Sequence, residues 1–299
     1  MDLNNLRKSL SSAKSSIELV EYIAKCLEDS DLCFGHGTNN SLDESHWIVR
    51  SQQDWSEDKW NQKPNIKLID QLVSITEKRV LDKIPLAYIL GEAFFADLRF
   101  NVNRDVLIPR SPLAELIQKS FSPWLNLNSD SMILEIGTGS GCIAIAISRY
   151  CNVNSIDASD ISSNALIQAK ENIVLHKCNN IKLIKSNLYE NISNKYDLII
   201  SNPPYVPEKS FKCLPAEYQY EPALALKADD DGLFIIKKIL KQSIDYLNPG
   251  GNLIIEVGES KPEFERLYHN LPVIWIEFYF GGEGVFLVSK EQLLEYFST

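Results

Sequence analysis

Two short motifs in this chain carry residues whose types and spacing suit chemistry on a planar amino group. The first is Asn202-Pro203-Pro204-Tyr205, which follows an apolar run over residues 196–200 and a single serine, Ser201. The second is a loop of alternating glycines that follows an acidic residue: Glu135, Gly137, Thr138, Gly139, Ser140 and Gly141. Active sites of open α/β sheets lie where buried strands end and loops begin. We therefore expect both motifs at one site.

The asparagine-proline pair supplies hydrogen-bond acceptors for an NH2 group. The lone pair of such a nitrogen is delocalised, so the nitrogen is a poor nucleophile. An enzyme must therefore hold the nitrogen with its lone pair facing an electrophile. The side-chain oxygen of Asn202 and the carbonyl oxygen of Pro203 can accept the two N–H groups and fix their plane. Because proline restricts itself and the residue before it, both acceptors are held stiffly, while Tyr205 offers a ring face. The alternative interpretation is a simple turn, since Asn-Pro and Pro-Pro are common there.

The glycine loop stands between a predicted strand over residues 131–136 and a predicted helix over residues 142–147. The same context suits a dinucleotide site, whose fingerprint is Gly-x-Gly-x-x-Gly. Here the third glycine, Gly141, comes one residue early, and the loop has no P-loop lysine. Since glycine lets the backbone approach a ligand closely, the loop favours a ligand without a pyrophosphate, such as S-adenosylmethionine.

The next two predicted strands supply candidates for holding a nucleoside. Asp160 follows the glycine loop by about 20 positions, where an acidic residue can bind ribose hydroxyls. We prefer it to Asp157 because it ends its strand and Ser162 then offers an N-cap. After the following strand, Asn187 and Leu188 are expected beside an adenine ring, although a loop asparagine is also a frequent turn former.

Composition limits the class of partner and the location. The chain has 299 residues, with 30 Lys and Arg against 40 Asp and Glu, for a net charge of −10. Nucleic-acid binding depends on neutralising phosphates, so a basic protein is favoured over DNA or RNA. No apolar run approaches a membrane span and no signal peptide is evident, so we expect a cytoplasmic monomer without membrane contact. The six cysteines and four histidines lack the spacing of zinc ligands or disulfides, which predicts free thiols and no metal.

Apolar periodicity divides the chain into three predicted domains. Residues 1–90 are predicted to be helical, with two apolar stripes joined by a polar stretch over residues 51–64: Ile17, Val20, Ile23, Ala24 and Leu27, then Ile66, Leu68, Ile69, Leu72 and Ile75. Residues 91–109 carry short aromatic and β-branched runs that predict a β-hairpin linker. Residues 110–299 alternate strands and helices and form the predicted α/β catalytic domain. Its last two strands, separated by the glycine-rich segment 281–284, are expected to pair.

These residues together resemble the class I S-adenosylmethionine-dependent protein glutamine methyltransferases. The resemblance rests on residues 135–141, Asp160, residues 202–205 and the linker Leu107-Ile108-Pro109-Arg110, and it covers nearly the whole chain. It implies a Rossmann-like, seven-stranded, mostly parallel sheet with a smaller helical N-terminal domain for substrate recognition. It also implies S-adenosylmethionine as the methyl donor. Asn187 stands where the family usually has Asp.

Within this family, the resemblance favours the branch that methylates the third protein of the large ribosomal subunit over the branch that acts on peptide-chain release factors. Release-factor enzymes typically continue Pro-Arg with Pro-Asp or Pro-Glu, whereas Ser111-Pro112-Leu113 follows Arg110 here. Residues 34–40, 217–222 and 281–293 also resemble the ribosomal branch. The implied reaction is methyl transfer to the side-chain amide nitrogen of a glutamine in that basic protein.

The resemblance implies roles for individual residues. The residues expected to hold the cofactor are Glu135, Gly137, Thr138, Gly139, Ser140, Gly141, Asp160, Asn187, Leu188 and Asn202. Those expected to bind substrate or take part in catalysis are Asn202, Pro203, Pro204, Tyr205, Phe95 and Arg110. Arg110 meets a substrate carboxylate or orders the loops, or else forms a structural salt bridge. His36 is a substrate ligand or a turn residue, and Glu221 a support for the catalytic loop.

Two other functions remain open at this point. A flipped adenine or guanine base presents a similar planar NH2 group, so the motif also suits methylation of an amine of a base in RNA or DNA. A scaffold that binds S-adenosylmethionine without turnover is the third possibility, and it predicts that Asn202 is dispensable.

Overall fold

The computed structural model describes residues 3–53, 61–229 and 231–298, so part of the predicted polar stretch over residues 51–64 lies outside the described residues. The chain divides into two compact units. Unit 1 contains Met1–Glu92 together with Pro215–Tyr220, and unit 2 contains Ala93–Leu214 and Glu221–Thr299. A short segment that follows residues 202–205 thus belongs to the N-terminal unit.

Unit 1 is built from helices whose starts are defined by side-chain caps. Ser15, Asn40 and Asn65 each accept a hydrogen bond from a backbone N–H three residues further along, which satisfies a donor that the first turn leaves unpaired. The helices are α1 (Leu3–Ser12), α2 (Ser16–Glu28), α3 (Ser41–Gln52), α4 (Ile66–Leu81) and α5 (Leu86–Leu90). The predicted helical periods are correct, but Ile17 and Ile66 lie on the solvent side, 47% and 73% exposed, because each stands at a helix start outside the buried stripe.

A buried ionic cluster holds the segment Pro215–Tyr220 in unit 1. The guanidinium of Arg79 donates to Glu44 at 2.5 Å and to Glu217 at 3.1 Å, and it also donates to the carbonyl oxygen of Cys33. Glu217 accepts a second hydrogen bond from the backbone N–H of Cys33 at 2.8 Å. Because one arginine serves two carboxylates, loss of Arg79 would leave both buried carboxylates without their counterion.

Unit 2 alternates strands and helices around one sheet. Its first elements are β1 (Glu92–Phe95), β2 (Leu98–Asn101), α6 (Leu113–Gln118), β3 (Met132–Ile136), α7 (Cys142–Tyr150), β4 (Ser155–Asp160), α8 (Ser163–His176), β5 (Ile181–Lys185) and β6 (Tyr196–Ser201). The remaining elements are β7 (Val206–Pro207), α9 (Glu208–Phe211), α10 (Ala223–Leu226), β8 (Lys227–Ala228), α11 (Phe234–Tyr246), β9 (Leu247–Glu256), α12 (Lys261–Leu267), β10 (Ile274–Trp275), β11 (Val285–Ser289) and α13 (Lys290–Ser298). A short 3-10 helix, Gly258–Ser260, completes the described elements of unit 2, and a second one, Ala216–Tyr220, belongs to unit 1.

The central sheet has seven strands in the order β10-β11-β9-β6-β3-β4-β5. The strands β9, β6, β3, β4 and β5 are parallel, and β11 runs antiparallel to both of its neighbours. This arrangement confirms the predicted α/β class with a mostly parallel seven-stranded sheet. The chain leaves β3 towards β4 on one side, while β6 lies on the other side, so the end of β3 is the point where the strand order reverses. Ligands of such sheets bind at that point.

Two antiparallel pairings agree with the sequence patterns. The strands β1 and β2 form a two-stranded sheet whose turn residues, Ala96 and Asp97, have φ values of 48° and 60°, as the twist of a tight hairpin requires. The strands β10 and β11 pair through Ile274 with Leu287 and Trp275 with Phe286, which confirms the predicted terminal pairing. None of the described helices combines the length and apolar character that a transmembrane segment requires.

Candidate active site

A cavity opens at the carboxyl edge of the sheet, beside the ends of β3, β4 and β6. It brings together eight of the predicted site residues: Gly137, Gly139, Asp160, Asn187, Leu188, Asn202, Pro203 and Pro204. Part of the wall comes from the segment after the hairpin, residues 105–107, and part from Pro222, Leu224 and Ala225. The two motifs singled out in the sequence therefore face one space, although contact of their side chains with a ligand remains a prediction.

The glycine loop turns its backbone towards this cavity. Gly137 and Gly139 have φ values of 76° and 55°, a region that residues with a Cβ adopt at a cost. A Cβ built on either glycine meets no atom within 4 Å, so the space beside them is open to a ligand. Gly141 differs, because its Cβ would lie 3.3 Å from Cβ of Ala169. Gly141 therefore permits α7 and α8 to pack, and it does not line the cavity.

Glu135 stabilises the glycine loop through hydrogen bonds of its side chain. Its buried carboxylate accepts a hydrogen bond from the hydroxyl of Thr138 at 2.6 Å and another from the backbone N–H of Ala144 at 3.0 Å. Burial raises the pKa of Glu135 to about 8. Glu135, Thr138 and Ser140, all predicted cofactor ligands, are buried and lie outside the cavity lining. The polar side-chain atoms of Glu135 and Thr138 bind within the loop and its flanking helix.

Asp160 and Asp157, the two candidates for a ribose ligand, lie in different places. Asp160 lines the cavity at the end of β4. Its carboxylate accepts hydrogen bonds from the backbone N–H groups of Gly139 and Ser162, at 2.9 and 2.8 Å, and burial raises its pKa. Asp157 points into the interior, where it accepts from the hydroxyl of Tyr196 at 2.7 Å. Ser162 is the N-cap of α8, as predicted.

The corner formed by Asn202 and Pro203 begins directly after β6. The hydroxyl of Ser201 donates to the carbonyl oxygen of Ile136 at 2.7 Å, and this hydrogen bond ties the end of β6 to the end of β3. Asn202, Pro203 and Pro204 follow in the cavity wall. The backbone of Asn202 is therefore held on one side by the hydrogen bond between the strand ends and on the other side by the restricted backbone of Pro203.

Tyr205 lies behind this corner and is held on three sides. Its hydroxyl donates to the carboxylate of Glu256 at 3.0 Å, and its carbonyl oxygen accepts from the hydroxyl of Ser260 at 2.8 Å. Gly258 lies so close that an added Cβ would come within 2.5 Å of the tyrosine ring. Ser111 donates to the other oxygen of Glu256. Tyr205 was predicted to wall the pocket; it lies outside the cavity lining, and its contacts fix the chain that follows Asn202.

Glu221 joins two walls of the cavity. Its carboxylate accepts two hydrogen bonds from the guanidinium of Arg110, both at 2.6 Å, and one from the backbone N–H of Ile108 at 3.0 Å. Of the interpretations open for Arg110, the structure therefore shows the salt bridge, and Arg110 lies outside the cavity lining. Phe95 is buried on β1 and also lies outside the lining. His36 lies in unit 1, with its ring 4.4 Å from that of Tyr218.

Two residues of this site were absent from the sequence-based set. Asn172 is fully buried in α8, donates to the carbonyl oxygens of Asn101 and Ser140, and accepts from the backbone N–H of Asn101, so it links the hairpin to the glycine loop. Glu256 ends the apolar strand β9. Each has a signal in the sequence, namely a polar residue at a position where the surrounding period demands an apolar one.

The fold, the cavity and a match to a known domain define the class of this protein. Residues 119–216 match the family model described as the methyltransferase small domain, and these residues contain β3 to β6, the glycine loop and the corner at Asn202. Among solved structures, the chain aligns with a methyltransferase from Pyrococcus furiosus, with a TM-score of 0.48 and 21% identity over 64% of this chain and 88% of that one. On the strand order of its central sheet and on the match to this domain, the protein has the fold of a class I methyltransferase.

Curated relatives identify the family within that class. The chain is 40% identical over 283 residues to the ribosomal protein uL3 glutamine methyltransferase of Xylella fastidiosa strain 9a5c, covering 93% of this chain and 91% of the relative. It is 38% identical over 274 residues to the enzyme of the same name from Francisella tularensis, covering 89% and 87%. The chain belongs to the family of ribosomal protein uL3 glutamine methyltransferases.

Proposed function

We propose that this protein transfers a methyl group from S-adenosylmethionine to the side-chain amide nitrogen of a glutamine in ribosomal protein uL3. The observation that carries the proposal is the cavity itself, where Gly137, Gly139 and Asp160 face the same space as Asn202 and Pro203. The names of relatives that span nearly the whole chain support the choice of substrate. Because uL3 joins the ribosome in the cytoplasm, we expect the reaction there.

The cavity fits the proposed methyl donor. The open space beside Gly137 and Gly139 accommodates a ligand against the backbone, and Asp160 offers a carboxylate for ribose hydroxyls. Ile161 and Leu188 supply apolar wall for an adenine ring. Among the described residues, the lining includes no Lys or Arg, which suits a nucleoside without phosphates. When bound, S-adenosylmethionine supplies a methyl group activated by its positively charged sulfur.

The corner at Asn202 prepares the glutamine amide for attack. Its side-chain oxygen and the carbonyl oxygen of Pro203 accept the two N–H groups, which fixes the plane of the nitrogen and favours a more nucleophilic, tetrahedral geometry. The nitrogen forms a bond to the methyl carbon as the carbon–sulfur bond breaks, and the sulfur retains that electron pair as a neutral thioether. The surplus proton then leaves the nitrogen for water. This chemistry requires positioned acceptors and no basic side chain.

Labelled S-adenosylmethionine tests the proposal. The enzyme is incubated separately with purified uL3, a peptide-chain release factor and ribosomal RNA. Each acceptor is purified from cells that lack the enzyme, so that it is unmethylated. We expect the label on uL3, with mass spectrometry locating one added methyl group on a glutamine. Asn202→Ala is expected to lower kcat by at least about 100-fold, as for the loss of a positioned transition-state contact.

Each other outcome identifies a different function. Label on the release factor alone contradicts the choice of uL3 and retains glutamine as the acceptor. Label that is removed by nuclease shows a nucleic-acid base as the acceptor. If Asn202→Ala retains wild-type turnover, the proposed corner takes no part in the reaction. If the enzyme binds the donor and labels none of the three acceptors, the proposed methyl transfer is wrong.

A further inference from the structure

Unit 2 presents a pair of aromatic side chains to solvent at the tip of one loop. Tyr279 and Phe280 are 86% and 85% exposed, the highest values among the large apolar and aromatic side chains on the described surface. Their rings pack against each other edge to face, with centroids 5.1 Å apart. Water contact of two adjacent aromatic rings is unfavourable, and exposed apolar groups of this kind mark interaction sites.

Anchors at both ends hold this loop in one conformation. The carboxylate of Glu115 accepts hydrogen bonds from the backbone N–H groups of Tyr279 and Phe280, at 2.8 and 3.3 Å. On the other side of the aromatic pair, an added Cβ on Gly282 would lie 2.8 Å from Cβ of Pro112, so the loop packs closely there. The rings are therefore displayed by a backbone that is already ordered, which reduces the entropy lost on binding.

The same loop packs directly behind the catalytic corner. An added Cβ on Gly284 would lie 2.6 to 2.9 Å from backbone atoms of Gly258, and the backbone N–H of Val257 donates to the carbonyl oxygen of Gly284 at 2.6 Å. Gly258 in turn contacts the ring of Tyr205. Tyr205 follows the Asn202 corner, so a continuous set of packed residues connects the aromatic loop to the wall of the cavity.

Charge identifies the kind of partner. Glu277 and Glu283 flank the aromatic pair in the chain, and both are exposed. The loop thus combines two ring faces with two carboxylates, a set that suits lysine and arginine side chains through cation–π contacts and ion pairs. The whole chain carries a net charge of −10, which attracts a basic protein over longer distances.

We propose that the loop over residues 277–284 is a docking surface for a basic segment of the protein substrate, with Tyr279 and Phe280 as its anchors. This inference rests on the proposed function for the identity of that substrate. The loop binds the intact protein outside the cavity and so raises its residence time, while the reacting atoms lie at the Asn202 corner. It therefore contributes to affinity and leaves the chemical step unchanged.

The double variant Tyr279→Ala/Phe280→Ala tests the proposal, with Ile167→Ala/Val174→Ala as the matched control. The control removes two exposed apolar side chains of α8. Binding of labelled uL3 is measured by fluorescence anisotropy without turnover, and methylation is measured separately. We expect the Kd and KM for intact uL3 to rise about tenfold in the loop variant, as for the loss of aromatic anchors, with kcat and the donor Kd unchanged. The control stays at wild-type values.

The carboxylates are tested by Glu277→Gln/Glu283→Gln, which keeps the size of both side chains. We expect weaker binding of uL3 and a smaller loss of affinity between low and high salt than in the wild type, because screened ion pairs have been removed. An unchanged salt dependence contradicts the assignment of a basic partner.

The remaining outcomes separate this inference from the proposed function. If wild-type enzyme binds uL3 but does not methylate it, the proposed function fails, and a Kd shift in the loop variant still supports docking. If wild-type enzyme methylates uL3 and the variant keeps its Kd and KM, docking is wrong. A fall in kcat at constant KM shows that the loop only supports Tyr205. A wild-type dimer that becomes a monomer in the variant shows that the pair binds a second copy, which also contradicts docking.

Discussion

Replacement of Glu256 by glutamine should change how stability depends on pH. Glu256 is 3% exposed, and its oxygens accept hydrogen bonds from Tyr205 and Ser111. Burial raises its pKa from 4.5 to about 7, against the opposing effects of these two hydroxyls and of Arg110. A carboxyl whose pKa is higher in the folded state stabilises the fold below its unfolded pKa, and this contribution is lost as the pH rises through the folded value.

The size of the effect follows from the two pKa values. A rise from 4.5 to about 7 corresponds to a total loss of about 3.4 kcal/mol, at about 1.36 kcal/mol for each pKa unit. Most of that change falls between pH 5 and pH 8, where integration gives about 2.5 kcal/mol. Glutamine keeps the shape and does not titrate. We therefore expect Glu256→Gln to gain about 2.5 kcal/mol relative to the wild type over this interval.

Urea unfolding of both proteins at pH 5, 6, 7 and 8, followed by circular dichroism, measures this difference. All other titrating groups are shared, so their contributions cancel when the two proteins are compared at each pH. Glu265→Gln, which removes an exposed carboxylate in α12, is the control and should run parallel to the wild type. A difference between wild type and Glu256→Gln that stays constant within about 0.5 kcal/mol across this range would refute the reasoning, since such a result requires Glu256 to keep its unfolded pKa in the fold.

Three further substitutions test the contacts around the cavity. Gly258→Ala places a methyl group within 2.5 Å of the ring of Tyr205. It should lower the rate constant of a single turnover by about 100-fold, because the Asn202 corner is displaced. A wild-type rate constant would show that the position of Tyr205 is unimportant. Glu221→Ala leaves Arg110 without its bidentate partner and should lower the free energy of unfolding by about 2 kcal/mol, measured by urea; Glu221→Gln should lose less. Asn172→Ala removes three hydrogen bonds of a fully buried side chain and should lower the free energy of unfolding by about 2 to 3 kcal/mol; an unchanged urea midpoint would contradict that figure.

Local patterns predicted the elements of the site well because those elements are defined over short stretches of chain. The glycine loop was predictable since an apolar strand, a tight turn and an apolar helix follow one another, and the structure has β3, the loop and α7 in that order. The corner at Asn202 was predictable for the same reason, at the end of β6. Both motifs end their strands at the same edge of the sheet, which is why they line one cavity.

Contacts between distant parts of the chain were not predictable in this way. The partner of Tyr205 is Glu256, 51 residues away, and the partner of Arg110 is Glu221, 111 residues away. Neither pairing leaves a periodic signal, because the local pattern around a buried carboxylate does not indicate which hydroxyl or guanidinium reaches it. For the same reason, the sequence could not show that Thr138 donates to the buried Glu135, whereas Gly139 lines the cavity.

The segment Pro215–Tyr220 has a consequence for how this architecture can change in evolution. Unit 1 is completed by a piece of chain encoded far downstream, and the counterion that Arg79 requires from that piece, Glu217, arrives with it. A recombination event that exchanged only the N-terminal helices would leave Arg79 of one parent to meet the downstream residues of the other. Exchange of unit 1 between related proteins therefore requires paired crossovers or joint drift of both segments, and hybrid genes joined at residue 92 should yield poorly folded proteins.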